Sequence, residues 1–183
     1  MEVSELEIPD VKLIRPKRFC DARGYFEQTW QQQEYTAAGI DAAFVQDNYS
    51  RSEKGVLRGL HYQLRQPQAK LVSVVEGAVY DVAVDLRRSS PHFGKWVGCE
   101  LSAQNGYQLF IPRGFAHGFM VLSERAVFCY KCDNFYAPGD EYAVLWNDPN
   151  LAITWAKDVT PIVSDKDASA PLLSNVGVAQ LFE

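Results

Sequence analysis

The chain has 183 residues, 47% of them hydrophobic and 22% charged, with a formal net charge of −5. That length and balance suit one globular domain with a sizeable core, and the acidic charge argues against a nucleic-acid partner, which calls for a basic face. No run approaches the roughly 18 apolar residues of a membrane span. The opening MEVSELEIPD is acidic and unlike a signal peptide, so the four cysteines read as reduced thiols of a cytoplasmic protein.

In chain order, the first regular element expected is a helix from Thr29 to Ala38, a stretch with Gln and Ala and no proline. Strand-length apolar runs follow: Gln46 to Tyr49, Val56 to Gln63, Lys70 to Val75, Ala78 to Leu86, Lys95 to Leu101, Tyr107 to Ile111, Gly118 to Leu122, Ala126 to Tyr130 and Tyr142 to Trp146. Turn clusters such as Ser89-Ser90-Pro91 and Pro138-Gly139-Asp140 punctuate them. Many short strands at regular spacing predict an all-β barrel or sandwich, with one shorter helical turn near the C-terminus.

Alternation is clean from Ala78 to Leu86. Tyr80, Val82, Val84 and Leu86 share one face; Asp81, Ala83 and Asp85 share the other. Two carboxylates on one face of a central strand mean either ion pairs to neighbouring strands or a polar cavity. Cys129 and Cys132 form a C-x-x-C in a strand-like run, where i and i+3 face opposite sides; without a second pair, zinc and redox roles are not expected. Asn48-Tyr49-Ser50 matches a glycosylation acceptor, read as chance in a cytoplasmic chain.

Two spaced motifs carry more. Gly106, five residues, Pro112, Arg113, Gly114, two residues, His117 fits the second cupin motif as far as its histidine, with Val121 where its last Asn would stand. The first cupin motif is partly present: His61-Tyr62-Gln63 stands at its H-x-H and Lys70 at its Glu, before Gly77. A cupin-type β-barrel or jelly roll is therefore expected. Its metal set is dismantled, because a lysine repels a divalent cation and two histidines fall short of a catalytic site's three protein ligands; no metal and no cofactor are expected. His61, His117, Lys70 and Arg58 around a polar interior suit proton abstraction beside a carbonyl. An imidazole takes the proton and a cation stabilises the oxyanion. Arg58 and His61, three apart, line one cavity only if the strand bends or bulges, which Gly59 permits. His92, in a Ser-Ser-Pro-His-Phe-Gly turn, reads as structural.

With these residues the chain resembles the dTDP-4-dehydrorhamnose 3,5-epimerase family. The matching segments are Asp21 to Phe26, Phe44 to Ser50, Gly55 to Gln63, Gln68 to Val72, Asp81 to Trp96, Ile111 to Phe119, Tyr130-Lys131, Trp146 to Pro149 and Ser164 to Asp167. The resemblance implies one cupin-like domain over 1–183 with an N-terminal strand arm and a helical tail. It implies inversion of dTDP-4-dehydro-6-deoxy-D-glucose at C3 and C5 to give dTDP-4-dehydro-L-rhamnose. His61 would be the base and Asp167 its carboxylate partner; Lys70 would stabilise the enolate, and Tyr130 would return a proton from the opposite face. A buried lysine and cationic neighbours would lower the tyrosine pKa. Arg23 and Arg58 would hold the diphosphate. Phe19, Phe26, Gln46, Asn48 and Tyr136 would surround the nucleoside, and Asp47 belongs to the same segment. Ser50, Gln63, His117, Glu141 and Lys166 would complete the pocket. The family's R-G-x-F-x-E reads Gln28 here, with Glu27 one place early; Gln28 still offers a donor and an acceptor. A homodimer exchanging N-terminal strands follows from the resemblance alone, with Arg23 and Phe26 serving the partner's site.

Three rival readings stay open on sequence: an enzyme inverting C3 or C5 only, a cupin binding module without catalysis, and a metal-dependent cupin oxygenase, against which the lost ligands argue. The tail after Ser174 carries no interpretable motif.

Overall fold

The computed structural model describes residues 1–183. Its strands are β1 (Glu2–Glu5), β2 (Lys12–Arg15), β3 (Arg18–Asp21), β4 (Gly24–Glu27), β5 (Gln46–Glu53), β6 (Leu57–Gln63), β7 (Lys70–Glu76), β8 (Ala78–Asp85), β9 (Trp96–Ser102), β10 (Gln108–Ile111), β11 (Phe115–Val121), β12 (Arg125–Cys132) and β13 (Glu141–Ala143). Two short helices, α1 (Gln32–Ala37) and α2 (Asp165–Ala168), and two 3₁₀ turns near the C-terminus complete it. One antiparallel sheet runs β1-β2-β10-β7-β12-β5, a second runs β13-β6-β11-β8-β9, and β3–β4 pair only with each other. No helix is long and apolar enough to cross a membrane.

The two large sheets face each other as a jelly roll. Between them lies a core drawn from both walls, including Leu13, Val72, Leu109 and Phe128 from one and Val79, Ala83, Phe115 and Phe119 from the other. Burying such side chains is worth about 1.5–3 kcal/mol each. The outer face of the second sheet is buried too: Leu57, Leu60, Val82, Val84 and Leu86 pack under Leu151, Trp155 and Val176. This explains why β8 is apolar on its outward face. Its inward face carries the two carboxylates, and only Asp81 reaches a neighbouring strand. Asp85 binds Arg87 and Ser90 in a turn, while Asp81 reaches His117 inside the barrel.

The segment after Ser174 is the cover of that outer face. The Tyr62 hydroxyl donates to the Gln180 carbonyl at 2.9 Å, and the Arg88 amide donates to that of Phe182 at 3.0 Å. Outside the first sheet, α1 seats Tyr35 on Ile14, Leu71 and Phe110. The helix is shorter than expected because Gln31 acts as its N-cap, its side chain accepting the Glu34 amide. Strands β1 to β4 were not expected from residue pattern. Each has four residues, too few to show an alternation, and the exposed hairpin β3–β4 has no buried face.

The bulge anticipated at Gly59 is present. Arg58 pairs with Phe119 and His61 with His117, so three steps on β6 match two on β11. Gly59 has φ +129°, and a Cβ there would lie 2.6 Å from the Gly118 Cα and 2.8 Å from the His117 carbonyl oxygen. A side chain is excluded by both backbone conformation and space. Gly59→Ala is expected to cost about 2–5 kcal/mol, the sum of overpacking and left-handed strain. Urea unfolding of the variant tests this, and a loss below about 0.5 kcal/mol would show that the two strands separate easily.

Candidate active site

Across the bulge, His61 lies within electrostatic reach of Lys70 and Arg58 within reach of Tyr130. His61 Nε2 lies 2.7 Å from Asp167 Oδ1. Asp167 is held at two further points: Oδ2 accepts the Gly59 amide at 3.3 Å, and its own amide donates to the Ser164 hydroxyl, the N-cap of α2, at 3.2 Å. A carboxylate fixed in this way holds the neutral imidazole with its proton on Nε2 and its lone pair on Nδ1. Burial pushes the His61 pKa below its ordinary 6.5, and the hydrogen bond and charge of Asp167 oppose that shift. The ring is therefore an unprotonated base at neutral pH.

The opposite wall is built by register. Lys70 of β7 pairs with Cys132 of β12, which pairs with Gln46 of β5. The next inward row is Val72, Tyr130 and Asn48, and the one after it Val74, Phe128 and Ser50. Period-two alternation sends all of these to one face. His61 and His117 thus stand on one sheet, Lys70 and Tyr130 on the other.

Burial pushes the Lys70 pKa down, while Cys132, Asp81 and Glu141 pull it up. For Tyr130 the expected direction is reversed: burial pushes its pKa up, and the opposing pull of Arg58 is smaller. The phenol stays protonated at neutral pH and has a proton to give.

Around this centre, Arg58 Nε donates to the Ser52 hydroxyl at 3.1 Å, and its Nη groups bind no protein atom. The Ser50 hydroxyl is buried without a partner, a state that costs free energy until a ligand satisfies it. Glu141 and Lys166 form an ion pair at 2.8 Å beside His61, and Lys166 holds the Glu141 carboxyl below its usual range. The Tyr136 amide donates to Gln46 Oε1 at 2.9 Å. Gln63 is committed to backbone: Nε2 donates to the Gln66 and Phe135 carbonyls, and Oε1 accepts the Ala137 amide. It fixes the loop that carries Tyr136.

Other expected residues are not gathered here. Asp47 lies on the outer face of β5, paired with Lys131 at 2.9 Å; strand alternation turns it away from Gln46 and Asn48. Phe19 and Phe26 sit on the projecting hairpin at 52% and 69% exposure. Arg23 binds only Asp21 at 2.6 Å. Gln28 donates to Glu34 at 3.3 Å beside α1, while Glu27 pairs with Arg18 at 2.8 Å. Within one chain none of these five reaches His61.

Asp81 was not singled out as a site residue. It is fully buried and meets His117 Nε2 through both oxygens, at 3.0 and 2.9 Å. Its inward place on β8 and the motif position of His117 were the available signals. The C-x-x-C is split as expected: Cys132 is buried, and Cys129 lies on the other face beside Tyr49.

The metal chemistry of cupins does not fit these donors. Gln63 is spent on backbone, Lys70 is a cation, and each histidine already holds a carboxylate. No group of three or more His, Cys, Asp or Glu side chains is arranged to bind an ion.

Comparison with known proteins agrees with this geometry. The profile of the family described as dTDP-4-dehydrorhamnose 3,5-epimerase matches residues 5–175. The dTDP-4-dehydrorhamnose 3,5-epimerase of Pseudomonas aeruginosa is 55% identical over 168 residues, covering 91% of this chain and 93% of that protein. The crystal structure of dTDP-6-deoxy-D-glucose-3,5-epimerase from Legionella pneumophila, in complex with dTDP-4-keto-L-rhamnose, superposes with a TM-score of 0.97 at 49% identity, covering 100% of this chain and 97% of that one. A 3'-monoepimerase from Streptomyces bikiniensis, in complex with dTDP-quinovose, superposes with a TM-score of 0.86 at 34% identity over 93% of this chain and 87% of its own. A profile match over nearly the whole length, a close relative and a superposable barrel converge: the chain belongs to the dTDP-4-dehydrorhamnose 3,5-epimerase family, whose members are isomerases.

Proposed function

We propose that the protein converts dTDP-4-dehydro-6-deoxy-D-glucose to dTDP-4-dehydro-L-rhamnose by inverting C3 and C5 in turn. Both carbons flank the C4 ketone. At each, the C–H bond breaks, its proton passes to His61 Nδ1, and its electron pair moves onto the C4 oxygen as an enolate. Lys70 stabilises that oxygen. As the ketone re-forms, the carbon takes the Tyr130 proton on its other face, and exchange with solvent resets both groups. The observation that carries this reading is a carboxylate-held neutral imidazole on one wall and a protonated phenol on the other. Inversion needs an acid and a base on opposite sides; a binding module does not.

Arg58, the orphaned Ser50 hydroxyl, Gln46, Asn48, His117, Tyr136 and the Glu141–Lys166 pair form the substrate pocket in this reading. Four unpaired thiols suit a reducing compartment. The test is NMR of dTDP-4-dehydro-6-deoxyglucose in deuterated water with the protein and EDTA. Exchange at both C3 and C5 is expected. Exchange at C3 alone assigns the protein to the 3'-monoepimerase type, and loss of exchange restored by a divalent ion overturns the metal-free mechanism.

The acid limb of kcat/KM follows from His61. The unprotonated ring is the working form, present above its folded-state pKa and lost as pH falls through it. Because burial lowers that pKa, the limb lies below pH 6.5. The Asp167 carboxylate raises it, so Asp167→Asn is expected to move the limb further toward acid while reducing kcat. A limb that moves toward neutrality would contradict the pairing.

We also propose a homodimer in which β3–β4 crosses to the partner. Support comes from the hairpin's exposed Phe19, Tyr25 and Phe26, and from Tyr49 and Val75, 74% and 57% exposed on the outer face of the first sheet. Such a cluster on a single chain marks an interaction surface. Arg23→Ala and His61→Asn should each be nearly inactive as pure proteins. Unfolded together and refolded, they should recover about one quarter of parental activity, since half the dimers are mixed and each mixed dimer has one complete site. No recovery would place Arg23 in its own chain's site.

A further inference from the structure

A one-way chain of hydrogen bonds crosses the wall opposite His61. It begins at the Tyr136 amide, which can only donate, to Gln46 Oε1 at 2.9 Å. That fixes the Gln46 carboxamide, so its Nε2 faces Asn48 and must meet an acceptor, Asn48 Oδ1, at 3.1 Å. Asn48 is fixed in turn, and its Nδ2 faces Cys132 Sγ at 3.8 Å. Each amide orientation is dictated by the link before it, and the sulfur is the last acceptor.

We propose that Cys132 is a positioning residue: its thiol ends this chain and holds the Asn48 carboxamide in the one orientation that the nucleotide end of the pocket requires. The inference rests on the reading above that Gln46 and Asn48 contact the nucleotide. Three observations make the sulfur suited to the task. Cys132 is 1% exposed, so water does not compete as acceptor. It lies in register with both Lys70 and Gln46, between the proposed enolate cation and the proposed base-binding residues. Burial pushes its pKa up to about 11, more than Lys70 pulls it down. It remains a neutral thiol, which accepts from Asn48 without cancelling the Lys70 charge. A thiolate would accept more strongly but would bind the lysine instead.

The test is a double-mutant cycle on the full-length protein, read by dTDP affinity and steady-state kinetics. Cys132→Val keeps side-chain size and removes the acceptor. It is expected to weaken dTDP binding and raise KM by about three- to tenfold, the range for one buried hydrogen bond, with kcat within about twofold. Cys132→Ser, which restores an acceptor, should recover most of the affinity. In an Asn48→Ala background, Cys132→Val should add nothing, because the group it oriented is gone. Additive losses, or a fall in kcat at unchanged KM, would reduce Cys132 to a packing residue and overturn the proposal. If Asn48→Ala leaves dTDP affinity unchanged, the placing of the nucleotide beside Asn48 fails and the proposal with it. That outcome is distinct from Asn48→Ala weakening binding while Cys132→Val does not, which sinks the proposal alone. Should Cys132→Val not fold, Cys132→Ala removes the same acceptor and takes its place in the cycle.

Discussion

Replacing His61 with Asn is expected to abolish deuterium exchange at both C3 and C5 while leaving dTDP affinity within about threefold of parental. The imidazole acts on the sugar carbons, whereas the diphosphate and base are held by other residues. Asp167, 2.7 Å from His61 Nε2, retains its hydrogen bond from the Gly59 amide, while the shorter asparagine ends near the Nδ1 position. It has no lone pair basic enough to take a carbon-bound proton. General-base catalysis contributes typically 10²–10⁴-fold, and a single base serving both carbons loses that factor at each. A fall of less than about tenfold would mean that another group removes the proton. His117 is the nearest alternative by chemistry, but it is only 8% exposed and its ring stacks on Phe128, whereas 36% of the His61 side chain is open.

How much of this was legible can be argued residue by residue. The barrel was, because period-two alternation and turn residues are local signals, and Gly59 between Arg58 and His61 permitted the bulge that the register contains. The dismantled metal set was also legible, since Gln63 and Lys70 stand at fixed motif spacing. What local pattern could not yield is anything that depends on distant chain. Asp167 meets His61 across 106 positions, and only family resemblance linked them. The shift of Tyr130 was misjudged because desolvation depends on what packs around a group, whereas cationic neighbours can be counted from sequence. Asp47 was misplaced by treating FVQDNYS as one unit when its residues alternate between cavity and exterior. The tail after Ser174 was opaque for a similar reason. Its Val176, Leu181 and Phe182 make sense only against the outer face of a sheet formed from the middle of the chain.

Tyr130→Phe is expected to separate proton removal from proton return. His61 and Asp167 are untouched, so the variant should still enolise the substrate, and deuterium should still wash into C3 or C5. It should enter mainly with retained configuration, because only the histidine wall then holds a proton donor. Epimerised product should fall by about 10²-fold or more, the usual worth of a positioned general acid. The ring itself packs beside Phe128, at 5.9 Å between centroids, and phenylalanine preserves that contact, so a folding defect would not yield exchange without inversion. The hydroxyl has a proton to give because burial raises its pKa; a tyrosinate there would be a second base, and its loss would slow exchange as well. The two cases therefore differ in one measurement, the ratio of solvent exchange to epimerisation. A variant that epimerises at close to the parental rate would show that the Tyr130 hydroxyl only satisfies a neighbouring group, and the two-walled mechanism would have to be replaced by one in which His61 serves both faces.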